Sequence, residues 1–207
     1  MSSPSTKRDR VMARRFRSDL VAGALLALAS AAWANPTDYL EQGIGGLALD
    51  HSWPAAKKML DLRDVHCRPV TMPGTQAIHA QGVGQFCDFK FKQPGRLEGH
   101  ALQEDGAVLV QGPYIKLVLL TVPLAAAERE TATQDVIMRM QNASGMPLLR
   151  EGSDVVLLSM TQDEAARDKE AFLQSPTLWV HQHPTGGLKV TLCTVDMKVA
   201  LQESGPQ

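Results

Sequence analysis

The sequence predicts an α+β fold: a single domain on a mainly antiparallel sheet, with about four helices packed on one face. Three observations predict it. First, Cys87, Phe89 and Phe91 alternate with Asp88, Lys90 and Lys92, the period-two pattern of a half-buried strand. Second, residues 114–122 form a nearly continuous apolar run, as in a strand covered on both faces. Third, strand-like and helix-like segments are ordered as helices, a block of strands, then strand, helix, strand, helix and two strands. That order suits helices laid on an antiparallel sheet.

Taken in chain order, Asn35-Pro36 with Asp38 reads as a helix start: a cap, a proline at the first position and an acid in the first turn. Gly43, Gly45 and Gly46 weaken that helix. Ser52 then caps a short helix that places Trp53, Ala56, Met59 and Leu60 on one face. Strand-like segments 97–102 and 107–111 flank Gln103, Glu104, Asp105 and Gly106, and the Asp-Gly pair predicts a hairpin turn there. Gly112-Pro113 turns the chain into the run 114–122. Thr131 with Gln134 fits a capping box ahead of a stripe of Val136, Ile137 and Met140, which Gly145 ends. Segment 155–159 is an apolar strand entered through a turn at 151–154. Thr161 with Glu164 is a second capping box, and Ala165, Phe172 and Leu173 follow on one side. The chain closes with a hairpin of 177–183 and 188–201 around residues 184–187, then a flexible tail at 202–207.

The first 34 residues predict an address. Lys7, Arg8, Arg10, Arg14, Arg15 and Arg17 precede the apolar run 20–29, and Ala32-Trp33-Ala34 supplies a small-residue exit. That is the layout of a cleavable signal peptide over 1–34. A membrane-spanning helix needs about 20 predominantly apolar residues. Asp19 limits this run, so no membrane span is expected after leader cleavage, and the globular domain occupies 35–201. The expected location is periplasmic or secreted.

Leader removal changes the charge. The whole chain holds 21 Lys and Arg against 22 Asp and Glu; the leader carries six basic and two acidic residues, leaving 15 against 20 and a net charge near −5. An acidic domain without a basic run is a poor ligand for phosphate backbones, so no nucleic acid is expected as a partner.

An exported chain meets an oxidising compartment, where a disulfide is expected. Of Cys67, Cys87 and Cys193, the first two flank neighbouring strand-like segments joined by the turn Pro73-Gly74, and Cys67–Cys87 is the predicted bond. Cys193 then reads as a small buried hydrophobe among Leu192, Val195 and Val199.

His181 and His183 are the candidate metal ligands. Two apart on a strand, they point to the same face and suit one ion. Pairing across Thr185-Gly186 sets His183 opposite Leu188, His181 opposite Val190 and Trp179 opposite Leu192. In that register Cys193 points away unless a bulge intervenes, and the hairpin supplies two ligands where a usual set has three or four. Met138 and Met140 lie about 200° apart on a helix and form no clamp. His66 and Cys67 face opposite sides of a strand. Gly82-Val-Gly84 lacks the third glycine of a dinucleotide loop and precedes a strand, so no cofactor is expected. His100, in mid-strand beside Gly99, reads as an exposed strand histidine. No common hydrolase signature occurs, although Glu98, Asp105 and Asp154 are acids that a fold is able to bring together.

Two functions follow as expectations. One is an exported binding or interaction protein, such as an adaptor, an inhibitor or a toxin-neutralising immunity protein, with another envelope protein as partner. The other is an exported hydrolase with a dispersed site, metal-assisted through His181 and His183. An unpaired strand edge or exposed apolar patch speaks for the first. A deep pocket of converging polar groups speaks for the second.

Overall fold

The computed structural model describes residues 39, 42–71, 83–125, 127, 129–151, 154–183 and 186–203. The leader, the Asn35-Pro36 helix start, the Pro73-Gly74 turn, Gly82, the turn residues 152–153 and 184–185, and residues 204–207 lie outside the described residues.

The strands are β1 (Arg63–Thr71), β2 (Val83–Lys90), β3 (Arg96–Leu97), β4 (His100–Ala101), β5 (Asp105–Gln111), β6 (Tyr114–Pro123), β7 (Leu148–Glu151), β8 (Asp154–Leu158), β9 (Pro176–His183) and β10 (Gly187–Thr194). The helices are α1 (Trp53–Met59), α2 (Arg129–Ser144), α3 (Gln162–Arg167), α4 (Lys169–Gln174) and α5 (Val195–Glu203). Eight strands form one sheet in the order β1-β2-β5-β6-β10-β9-β8-β7, while β3 and β4 pair apart from it. Every neighbouring pair is antiparallel. The sheet is thus two four-stranded meanders, each wound from an outer edge inward. They meet where β6 pairs with β10.

Both faces of this sheet are covered, which is why the central strands read as apolar throughout. Leu188, Val190 and Leu192 of β10 share one core with Val118, Leu120 and Val122 of β6 and with Val136, Ile137 and Met140 of α2. Trp53 and Ala56 of α1 belong to the same core. On the other face Leu109, Leu117 and Cys193 pack with Met197 of α5, and Val156 and Leu158 pack with Val195 and with Phe172 and Leu173 of α4. The helices therefore divide between the two faces rather than gathering on one. A central strand buries all its residues only if both faces are capped.

Local chemistry explains most elements. Thr161 caps α3 as expected: its hydroxyl accepts from the Glu164 amide, and the Glu164 carboxylate returns a bond to the Thr161 amide at 2.8 Å. Gly112-Pro113 makes the β5–β6 turn, with Gly112 at φ +57°. Ser52 stands at the start of α1, yet its side chain makes no capping bond there.

Four further expectations give way. The Asp105-Gly106 pair is no turn; both residues lie in β5, and Gly106 lets two core side chains close over the backbone. A Cβ at Gly106 would sit 2.6 Å from Phe89 Cζ and 2.8 Å from Leu120 Cδ2. The hairpin in this region turns instead at Glu98 and Gly99, whose φ values of +48° and +85° suit a two-residue turn between β3 and β4. Thr131 does not cap a helix, because α2 is already helical from Arg129. The segment 195–203, read as strand and tail, is α5. Val195, Asp196, Met197 and Lys198 are all buried while Val199 is exposed, which breaks the period of two that a strand needs, and the Asp196 carboxylate accepts the Met197 amide at 2.7 Å. Finally, the β9–β10 register differs by one residue. His183 pairs with Gly187, His181 with Lys189 and Thr191 with Trp179, around a three-residue loop ending in Gly186 at φ +97°. Three-residue hairpins with a left-handed last residue are a common alternative to the two-residue turn.

Candidate functional site

The strongest candidate lies at the sheet's first edge. β1 carries Arg63, Asp64, His66, Arg68 and Thr71 as exposed side chains, and only Val65 and Val70 are half-buried. Among the described residues no strand pairs with its outer edge. The opposite edge, β7, is only four residues long. What fixes β1 in place is the bond expected from the sequence: Cys67 and Cys87 form a disulfide directly across the β1–β2 ladder. Cys67 is exposed and Cys87 is wholly buried, so the bond anchors an exposed strand in the core.

The register tells which backbone groups face outward. The Cα atoms of Cys67 and Cys87 are 4.0 Å apart, the short spacing of a pair that exchanges no backbone hydrogen bonds. The N–H and C=O of Cys67 consequently point away from β2, and the alternation gives Pro69 and Thr71 the same outward direction. Pro69 offers only its carbonyl. The bulge between Arg63 and His66 breaks the edge further down, with Asp64 at φ +50°. A bulge, a proline and charged side chains are the usual devices against indiscriminate strand pairing. They leave a short, defined stretch, His66 to Thr71, whose carbonyls at 67, 69 and 71 and amides at 67 and 71 suit one added strand. Arg68 flanks it, its guanidinium 5.2 Å from the centre of the Phe86 ring.

The histidine pair is placed differently. His181 is half-buried and packs against Trp179, with ring centres 4.9 Å apart and the ring planes tilted by 41°. The Trp179 indole N–H donates to Asp154 at 2.8 Å, and the buried Lys198 lies 5.7 Å from the same ring. Lys198 pairs with Glu151 at 2.5 Å, tying α5 to β7. His183 lies at the strand end opposite Gly187, and its side chain is outside the described residues. Among the described residues no three His, Cys, Asp or Glu side chains converge as metal ligands do.

The observed register also corrects the position of Cys193. It shares the His181 face but pairs with Thr177, four residues along β9 from His181 and about 13 Å away at ~3.3 Å per residue. Cys193 is the free cysteine and wholly buried; burial pushes its thiol up to about 12. A neutral thiol without exposure is a poor nucleophile. The folded protein is therefore expected to leave Cys193 unlabelled by a maleimide at pH 8, with labelling appearing only in denaturant. Rapid labelling of the native chain would contradict the packing of this residue.

The remaining residues singled out from the sequence stand apart from one another. Met138 is exposed while Met140 is buried, on opposite sides of α2 as the helical angle requires. Asp154 serves Trp179, and exposed Asp105 accepts from Gln103 at 3.4 Å. Glu98 accepts from the Tyr39 hydroxyl beside a second polar group that the sequence did not signal. There His100 Nε2 lies 3.2 Å from Asp135, and Arg139 Nε contacts the same carboxylate at 2.9 Å. Arg139, and then His100, hold the Asp135 carboxyl below its ordinary range by hydrogen bonding. Its stabilising contribution is present above that ordinary range and fades as pH falls below it. The link fastens the β3–β4 hairpin to α2. Only the Asp135–Arg139 spacing of four was legible, since His100 comes from a distant hairpin.

No helix among the described residues is long and apolar enough to cross a membrane. Comparison with known protein families, with curated proteins and with solved structures finds no match.

Proposed function

We propose that the mature chain is an exported binding protein that recruits an extended segment of another envelope protein along the outer edge of β1. The observation that carries this reading is the edge itself: a nine-residue strand, exposed along nearly its whole length and locked to the core by Cys67–Cys87. Strand addition draws affinity from backbone hydrogen bonds and specificity from the flanking side chains. Here the proline and the bulge confine it to one short register, as an adaptor, inhibitor or immunity protein requires. Export is supported by the leader-like layout of residues 1–34 and by the disulfide, which belongs to oxidising compartments. The net charge near −5 of the remaining chain favours encounter with a basic partner.

The test is capture from envelope extract with the wild-type protein and with Thr71→Pro. This substitution removes one outward amide at a position that gives no hydrogen bond to β2. The expected outcome is a stoichiometric partner whose recovery falls at least tenfold with Thr71→Pro, together with slowed amide exchange at residues 66–71 in the complex. Equal recovery by both proteins, or no partner at all, refutes the reading.

A further inference from the structure

A cavity of about 320 Å³ opens where the two meanders meet, at the end of the central strands β6 and β10. It is lined by Gln111 at the end of β5, Lys116 near the start of β6, Thr194 closing β10, Asp196 and Met197 opening α5, Gln174 ending α4, and Leu49 and Asp50 before α1. Five elements and the segment before α1 contribute to it. Asp50 is held against β6 by its amide bond to the Ile115 carbonyl at 2.8 Å, and α4 and α5 supply Gln174, Asp196 and Met197.

Its charges do not balance internally. Lys116 is paired with Asp50. Asp196 is only 4% exposed, and just one of its carboxylate oxygens is engaged: Oδ1 accepts from the Thr194 hydroxyl and from the Met197 amide. Oδ2 is buried and has no hydrogen-bond partner among the described residues. A buried carboxylate oxygen without a donor is costly, more so than a neutral group. The amino end of α5 gives the negative charge a favourable place, but helix amides there do not reach both oxygens.

We propose that this cavity is a binding site for a small organic cation with an ammonium group, whose N–H donates to Asp196 Oδ2. A charge-assisted bond of that kind satisfies the orphan oxygen and neutralises the remaining charge in one contact. The side-chain carbonyls of Gln111 and Gln174 offer acceptors for the other ammonium hydrogens, and Leu49 and Met197 offer apolar surface to a short carbon chain. The volume stands at the low end of the ~300–1,000 Å³ usual for small-molecule sites, which suits a ligand of amino-acid size or less. A metal ion is a poorer fit, because no three ligand side chains converge among the described residues. An anion is a poorer fit still, since Lys116 is already neutralised by Asp50.

The test is calorimetric titration of the full chain with n-butylammonium, and with tetramethylammonium and n-butanol as probes lacking either the N–H⁺ or the charge. The expected result is saturable binding of n-butylammonium, at least tenfold weaker binding of tetramethylammonium, and none of n-butanol. Asp196→Asn is expected to weaken n-butylammonium binding at least tenfold. Leu49→Trp, which fills the cavity and leaves Asp196 intact, decides the matter should the Asn variant misfold, and it is also expected to lose at least tenfold. No saturable binding to the wild type, unchanged affinity in either folded variant, or equal affinity for tetramethylammonium overturns the proposal.

Discussion

Leu192→Ala is expected to destabilise the protein by about 4 kcal/mol, the largest effect of any single side-chain truncation considered for this fold. Leu192 is wholly buried in β10, opposite Val118 of β6 and Leu178 of β9, themselves wholly buried. It therefore sits at the seam where the two meanders join, with a strand on either side and the α2-covered core above. Those surroundings include paired sheet backbone on both sides, which has little freedom to collapse into the space left behind. The cost thus combines the lost transfer energy with a cavity that stays open. Leu192→Met keeps the volume and should cost under about 1.5 kcal/mol. Leu149, 36% exposed on the edge strand β7, provides the contrast: its truncation should fall within about 0.5 kcal/mol. Urea unfolding of the three variants measures all of this. A Leu192→Ala loss below about 1.5 kcal/mol would mean that the two meanders are not one cooperative core.

Such a total is a large share of the roughly 5–15 kcal/mol that separates most folded domains from their unfolded chains. It also shows why the sequence was informative about this region. The segment 114–122 is apolar at nearly every position because both faces of β6 are largely covered, with Ile115, Leu117, Val118, Leu120 and Val122 buried, and a run of that kind is visible without knowing its neighbours. The period-two strand at 87–91 and the Thr161–Glu164 box are visible for the same reason: their determinants lie within a few residues of each other.

What stayed hidden depends on partners far along the chain. Gly106 looked like a turn glycine because Asp-Gly pairs usually make turns; only Phe89 and Leu120, arriving from two other strands, make it a strand glycine. The β9–β10 register hinged on one residue of loop length, and that single residue carried Cys193 to the opposite face. Helix α5 was lost in the same place, since Val195 and Val199 suit a strand as readily as a helix. The cavity at Asp196 was invisible altogether. Its lining comes from five separate elements and the segment before α1, and an aspartate two residues after a threonine signals only a local bond. The exposed edge, by contrast, was half legible: the cysteines flagged two paired strands, but not that one of them borders the sheet.

That edge sets the second large effect. Replacing both bridge residues, as Cys67→Ser with Cys87→Ala, is expected to cost about 3 kcal/mol by chain-entropy reasoning, because the bond closes a loop across 20 residues of sequence. The loss should have a particular shape. Seven of the nine β1 side chains are exposed, so burial does little to hold this strand down; its ladder to β2 and the disulfide do most of the holding. Without the bond, the amides of residues 66–71 should exchange with solvent far faster than those of β6 and β10, which stay in the doubly covered centre of the sheet. Reduction of the wild type should reproduce the pattern, separating the cross-link itself from the packing change at the wholly buried position 87. If strand addition along β1 is what the protein does, partner recovery should fall in the same samples, since a frayed edge has no fixed row of carbonyls and amides to offer. A stability change under about 1 kcal/mol with unaltered exchange in β1 would instead place the anchoring of this edge in the ladder alone.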